Sequence, residues 1–297
     1  MRKPYLDRLQ EGILLADGAM GTMLQSKGLP VGECPDGWNL THPEKVLEVH
    51  RGYVEAGAES LITNTFGGTR TKLTQCGYPE NMQKINVEGA RLARQVAGDD
   101  IYVVGSMGPT GKFLEPLGDL SEKEAYNDFA AQARALQEGG ADIVQIETMT
   151  DLGEICVAIR AVKENTTLPV IASMTFDKGK QGYRTVMGVD IPSAVKKLIE
   201  TGADIVGSNC GNGIDEFIEI MAEMRRHTDF PLLAKPNAGI PVLEKGKVMY
   251  TQGPDYFAER VVKLVEAGAN VVGGCCGTTP EHIRAMAKAL GRTLQPR

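Results

Sequence analysis

Short apolar runs alternate along the chain with segments whose apolar residues recur every three to four positions. The runs predict strands near 13–17, 59–65, 101–107, 142–147, 169–175, 204–209, 231–236 and 270–275. The periodic segments predict helices near 43–57, 80–97, 121–139, 151–165, 191–201, 214–227, 254–267 and 280–290. Strands that are apolar throughout are buried on both faces, as in a parallel sheet covered by helices. Eight strand–helix units in regular alternation predict an α/β fold, a closed (β/α)8 barrel of the TIM type.

An internal repeat favours closure. Ala56-Gly57-Ala58-Glu59, Gly139-Gly140-Ala141-Asp142, Thr201-Gly202-Ala203-Asp204 and Ala267-Gly268-Ala269-Asn270 each end a helix on glycine and enter strands two, four, six and eight. Glycine is what a left-handed helix C-cap requires. An open doubly wound sheet needs no such alternation and would carry a GxGxxG turn after its first strand, which this chain lacks. No linker or charge block divides the chain, so one barrel domain is expected over 1–297, with its core at 13–290. The long irregular stretches 18–42, 106–120 and 237–253 (the last with Gly239, Pro241, Gly246 and Gly253) all follow strands. They therefore fall on the C-terminal rim, where barrel active sites are built.

Composition narrows the partners. At 297 residues, 42% hydrophobic and 24% charged, the chain has material for one large core. A net charge of −6 argues against nucleic acid or an anionic membrane as main partner. The polar start and the lack of any apolar run of membrane length point to a cytoplasmic protein with no membrane association. Six cysteines in so long a chain are no disulfide framework, and in a reducing compartment they are metal ligands or inert.

Three of those cysteines sit where strands end. Val271-Val272-Gly273-Gly274 runs into Cys275-Cys276-Gly277, and a helix start follows with Thr279 as N-cap and Pro280 at the first position. Cys210 likewise closes the strand at 204–209 and precedes Gly211. Adjacent strand residues point to opposite faces, so Cys275 and Cys276 reach one ion only where the strand breaks, which Gly277 permits. Three thiols so placed suit a tetrahedral zinc with one position open; the competing reading is three small buried apolar residues. Cys34 and Cys76 lie in a loop and at a helix end, and Cys156 reads as helix core; none has a partner at useful spacing, and none is assigned a role.

Other polar groups collect on the same rim. Asp17-Gly18-Ala19-Met20-Gly21-Thr22 offers a carboxylate for an amine and backbone N–H groups for a carboxylate, although a helix-capping aspartate in a tight turn explains it as well. Glu147 ends strand four, with Asp151 available to cap the helix that follows. Thr63-Asn64-Thr65-Phe66 and Lys235-Pro236-Asn237-Ala238-Gly239 end strands two and seven as possible pocket lining, β propensity competing for the threonines. His282 reads as a solvated position in a first helical turn, and no two of the four histidines have metal spacing.

Together these marks, with Gly108-Pro109-Thr110-Gly111 and Asn209-Cys210, resemble the homocysteine S-methyltransferase family, particularly the homocysteine-binding module of cobalamin-dependent methionine synthase. The resemblance covers 13–290 and implies a (β/α)8 barrel holding zinc through Cys210, Cys275 and Cys276. It implies homocysteine held by Asp17, Glu147 and the backbone at Gly18 and Ala19, with Asn237 beside the metal. The activity implied is methionine formation, with a zinc-bound homocysteine thiolate attacking a methyl group and no catalytic residue beyond the zinc site. The donor implied is methylcobalamin. No Asp-x-His-x-x-Gly corrinoid motif surrounds any histidine, so that cofactor would arrive on a corrinoid protein or module. A cationic donor would favour an aromatic box, whereas aromatics are 5% here, with Trp38 in a rim loop. Three alternatives stay open. They are a stand-alone enzyme using S-methylmethionine or betaine, a non-catalytic zinc-thiolate protein, and a barrel hydrolase or lyase using Asp17 and Glu147.

Overall fold

The computed structural model describes residues 2–30, 32–244 and 247–292. Gly246 and both chain ends of the expected 1–297 domain lie outside the described residues. Eight parallel strands, β1 (Leu14–Leu15), β2 (Ser60–Ile62), β3 (Tyr102–Met107), β4 (Ile143–Met149), β5 (Val170–Met174), β6 (Ile205–Asn209), β7 (Leu232–Lys235) and β8 (Val271–Val272), run side by side in the order β1-β8-β7-β6-β5-β4-β3-β2. A parallel bridge between Ala16 and Ser60 joins β1 to β2 and closes the (β/α)8 barrel. Helices α1 (Pro43–Glu55), α2 (Met82–Ala97), α3 (Glu122–Glu138), α4 (Leu152–Asn165), α5 (Ile191–Thr201), α6 (Ile214–Arg225), α7 (Pro254–Glu266) and α8 (Pro280–Ala289) surround it. Among the described residues no helix is long and apolar enough to cross a membrane.

Alternation decides what fills the barrel. Leu14, Ile62, Val104, Ile143, Ile171, Ile205, Leu233 and Val271, one from each strand, form an inner apolar layer. Tyr5 and Leu9, from the short helix Tyr5–Leu9, join that layer at the N-terminal end of the strands. Towards the C-terminal ends the same parity becomes polar: Ser106, Gln145, Glu147, Ser173, Asn209 and Lys235, all buried. The apolar floor is a plug, with the buried polar residues above it.

The repeated helix-to-strand joint recurs four times with one geometry. Gly57, Gly140, Gly202 and Gly268 all have positive φ. The alanine after each donates its N–H to a helix carbonyl five residues back (Tyr53, Leu136, Leu198 and Leu264). The polar residue that follows has a second task. Glu59, Asp142, Asp204 and Asn270 accept the backbone N–H of Leu15, Val103, Val170 and Leu232 at 2.9, 2.7, 2.7 and 2.9 Å. Each even-numbered strand is thus clamped to the strand before it.

Three predicted strands are much shorter than expected: β2 keeps Ser60–Ile62 of the expected 59–65, and the other two are shorter still. β1 and β8 pair over two residues each instead of 13–17 and 270–275. Beyond Val272 the chain leaves the regular ladder: Gly274 N–H donates to Asp17 O at 3.0 Å and Cys275 N–H to Pro236 O at 2.7 Å. The rim stretch 18–42 holds helical turns (Gly21–Ser26, Trp38–Thr41), and Trp38 within it is buried beside His42. Cys156 is half-buried and bonds to Thr201 Oγ1, so it is not a core residue.

Candidate active site

The three rim cysteines are brought together by β7. Its C-terminal end runs between the other two thiol-bearing segments and bonds to each in turn. Lys235 O accepts from Cys210 N (3.1 Å), Pro236 O from Cys275 N (2.7 Å), and Ala238 N donates to Cys276 O (3.0 Å). The strand break expected at Gly277 is present, with φ +81° and its N–H on Thr22 Oγ1. Thr278 Oγ1 and N–H both donate to Cys275 O, fixing the turn. As a result the Cys210, Cys275 and Cys276 sulfurs all lie within 4.8 Å of one another, each residue half-buried, in a cluster that could hold a metal ion. The Cys275 and Cys276 thiols donate to Cys210 and hold its pKa far below the usual thiol value. The same bond to Cys210 pushes Cys275 well up.

Backbone strain collects here. Among the described residues two non-glycine residues have left-handed φ, Thr148 (59°) and Cys210 (62°). Such conformations cost roughly 1–3 kcal/mol each and persist where the surroundings enforce them. Asn209 does the enforcing: its Oδ1 accepts Thr148 N–H at 2.7 Å, and its Nδ2 donates to Thr148 Oγ1 at 2.8 Å. The strained pair aims Glu147 and Cys210 at a common space.

Glu147 is buried, with Oε1 accepting from Ser106 Oγ and Oε2 from Gln145 Nε2 at 3.1 Å. Burial raises its pKa, against the pull of Lys235 and Ser106. Asp17 forms a buried ion pair with Lys235, 2.9 Å from Nζ to Oδ1, and its Oδ2 accepts Ile62 N–H at 2.7 Å. Burial raises its pKa too, with Lys235 opposing. Gly18 is tightly enclosed, since a Cβ there would fall 2.6 Å from Thr278 Oγ1 and 2.8 Å from the Tyr53 hydroxyl. Ala19 N–H is already committed to Thr278 Oγ1 at 3.1 Å. Asn237 is fixed through its N–H on Asn212 O, its side chain beside Cys210; its Oδ1 is buried without a partner among the described residues.

Residues 14–290 match the homocysteine S-methyltransferase family. The chain belongs to that family. It is 34% identical over 310 residues to a methionine synthase of Mycobacterium tuberculosis and 33% identical over 306 residues to that of Mycobacterium leprae. Those alignments take in 98% and 97% of this chain but 26% and 25% of the relatives, so it spans about a quarter of their length. Its fold matches the metallated form of the Escherichia coli homocysteine methyltransferase MmuM with a TM-score of 0.80 at 24% identity, over 95% of this chain and 99% of that one. The apo form of MmuM matches with a TM-score of 0.74.

In this member of the homocysteine S-methyltransferase family the three cysteines singled out from the sequence do lie together, and one histidine lies elsewhere than the sequence suggests. His282 is buried: its Nδ1 accepts Thr279 N–H at 3.1 Å, and its Nε2 lies 2.9 Å from Gln252 O. It is a capping and bracing residue instead of a solvated one. Thr63 and Asn64 are spent on tying loops together, Thr63 Oγ1 accepting Ser106 N–H and Asn64 Nδ2 donating to Pro35 O. Sequence reading overlooked Ser106 and Tyr250. The Tyr250 ring packs on Gly277, and its hydroxyl pKa is raised by burial and by Cys276. A cavity of about 740 Å³ opens among Arg2, Arg8, Glu59, Tyr102 and Arg292, at the opposite end of the barrel. Its arginines are engaged with Glu59 and Asp142.

Proposed function

We propose that the chain holds zinc through Cys210, Cys275 and Cys276 and transfers a methyl group to the sulfur of homocysteine, forming methionine. The observation that carries this reading is the convergence of three thiols from two distant segments at the C-terminal rim, above buried acids and a lysine. The donor set fits the ion: sulfur ligands suit zinc, and Asn237 Oδ1 is a partnerless buried acceptor beside them, available as a weak fourth ligand. When bound, zinc supplies the charge that keeps an added thiol ionised at neutral pH, where a free alkyl thiol of pKa about 8.5 is only a few per cent thiolate.

The rest of the task falls to the chain's own side chains. Asp17, Glu147 and the turn at Gly18-Ala19 supply charge and dipoles for the amino and carboxylate groups of an amino acid. That anchorage aligns the substrate sulfur with an incoming methyl group, and alignment is the protein's main contribution to a displacement at carbon. No side chain is assigned as general base. We take the donor to be methylcobalamin, brought by a corrinoid protein or module. Support comes from the methionine synthases, of which this chain resembles about a quarter. The unbridged cysteines fit a reducing, cytoplasmic setting.

Replacing Cys210, Cys275 or Cys276 by serine tests the reading. Zinc content and methionine formation should both fall to background, and retention of both by any one variant overturns it. Parallel assays with methylcobalamin, S-methylmethionine and betaine identify the donor. Zinc and homocysteine binding without turnover on any of them would instead favour a non-catalytic thiolate protein.

A further inference from the structure

A site built from thiols carries a hazard of its own. Cys210, Cys275 and Cys276 lie within 4.8 Å of one another, and each, once ionised, is a nucleophile of the same kind as a substrate thiol. A methyl donor brought to the cluster meets the protein's sulfurs as well as the substrate's. A hydrogen bond to a thiolate draws off part of its charge and makes it the poorer nucleophile.

Each protein sulfur has such a donor. Cys210 receives the Gly211 N–H and the Asn237 side-chain amide. Asn209 Nδ2 donates to Cys275 Sγ at 3.9 Å. Cys276 has Tyr250, whose hydroxyl donates to its sulfur. The atom left over beside the cluster, Asn237 Oδ1, is an acceptor and has no hydrogen to give.

The placing of Tyr250 is fixed from several sides. Its ring lies on Gly277, where a Cβ would run into the ring atoms, so the turn after the cysteine pair needs glycine for this contact as well as for its φ of +81°. The ring also packs against the main apolar core. Beyond it the segment that follows β7 returns to its own start: Gln252 N–H donates to Ala238 O at 2.9 Å, and Gln252 Oε1 accepts Ile214 N–H at 3.2 Å. Tyr250 is thus held beside an anchored point, half-buried, with its hydroxyl on the cluster.

We infer that Tyr250, through its hydrogen bond to the Cys276 sulfur, keeps that thiolate from competing with the substrate sulfur for the incoming methyl group. It is a positioning and selectivity residue and makes no bond to the reacting carbon. The inference rests on the thiol-methylation reading above and adds what protects the protein's own sulfurs. An unguarded Cys276 thiolate would attack the methyl carbon and form an S-methyl thioether, and the leaving group would depart with the electron pair of the broken bond. A thioether is neutral and a weaker metal ligand than a thiolate, so the chain would inactivate itself.

Methyl iodide supplied to the zinc-loaded chain tests this, with peptide mass mapping to follow methylation at each cysteine. Iodide is the leaving group, so no donor protein is needed. Tyr250→Phe keeps the ring on Gly277 and removes the O–H. Cys276 should be methylated about 10-fold faster in Y250F than in the native chain, while Cys210 and Cys275 keep their native rates. With homocysteine also present, the native chain should direct the methyl group to homocysteine, and Y250F should divide it between homocysteine and Cys276. In the cobalt(II)-loaded chains the sulfur-to-metal charge-transfer band should lie at lower energy in Y250F, because the sulfur is more electron-rich; a merely structural tyrosine would not move it. An unchanged Cys276 rate overturns the inference. So does an equal rise at all three cysteines, which would make Tyr250 a steric cover alone. Either result leaves the homocysteine reading standing. A native chain that retains no zinc, or that forms no methionine while its cysteines are methylated, would overturn that reading and this inference with it.

Discussion

His50 sits on the inward face of α1 with Val46, Val49 and Tyr53, fully buried, and neither ring nitrogen has a partner among the described residues. Burial alone holds its pKa down to about 3. The unfolded chain takes up a proton on this ring below about pH 6.5, whereas the folded chain does not until near pH 3. More protons on the unfolded state mean that stability falls as pH drops through that window and is level above it. From pH 6.5 to pH 5 the loss is on the order of 2 kcal/mol. His50→Leu, apolar and of similar size, should remove that loss and add about 1 kcal/mol at pH 7 by eliminating two unbonded polar atoms. Urea midpoints at pH 5 and pH 7 check this; an unchanged gap between them would locate the acid sensitivity elsewhere. Single residues also show where sequence reading was strong. Paired cysteines before a glycine have few structural uses, so Cys275 and Cys276 were legible. Ser106 and Lys235 were harder, being polar residues inside or closing apolar strands. The usable signal was parity: Ile143, Gln145 and Glu147 share one face, as do Val104 and Ser106, or Leu233 and Lys235. The burial of His282 is not legible in the sequence, because a first helical turn is exposed by default and only the packed partners Phe257 and Gln252 enclose it.

Among the elements, the repeated joint shows in its sequence as a helix cap, which is half of what it does. The glycines advertise left-handed caps. The polar residue two positions on looked like an ordinary strand start, although it clamps the preceding strand. Asn270 is the clean test because it carries no charge. Its Oδ1 accepts both Leu232 N–H at 2.9 Å and Arg225 Nη2 at 3.0 Å. Asn270→Ala strands both donors in a partly buried place, a cost of about 2–3 kcal/mol. Asn270→Asp keeps an acceptor, as Asp142 and Asp204 do at the equivalent joints, and should stay within about 1 kcal/mol of the native chain. Denaturant midpoints of the two variants decide the matter, and equal losses would mean that the clamp bond contributes nothing beyond the strand's own ladder.

Across the whole molecule the two ends of the barrel differ in kind. The N-terminal end is closed by the helix at Tyr5–Leu9 and ringed by ion pairs. The C-terminal end carries the thiols and also most of the exposed apolar surface. Of the eleven large apolar side chains left exposed among the described residues, nine lie on loops after β2, β3, β5 and β7; Phe230 and Val262 are the others. Phe66, Phe113, Leu117, Leu243 and Val248 are among the nine, and if the methyl donor is carried on a protein, as proposed above, this apolar end is the face it would meet. A diffusing donor needs no such face, whereas a methyl group carried on a protein does. Leu243, 77% exposed, contributes little to the core, so Leu243→Asp should leave stability within about 0.5 kcal/mol of native. With free methylcobalamin its rate should equal the native rate. With a corrinoid protein as donor, KM for that protein should rise about 10-fold, the effect of placing an unpaired charge in an apolar contact. Equal rates with both donors would remove the rim from the transfer complex, and equal losses with both would make Leu243 part of the pocket instead of the docking face.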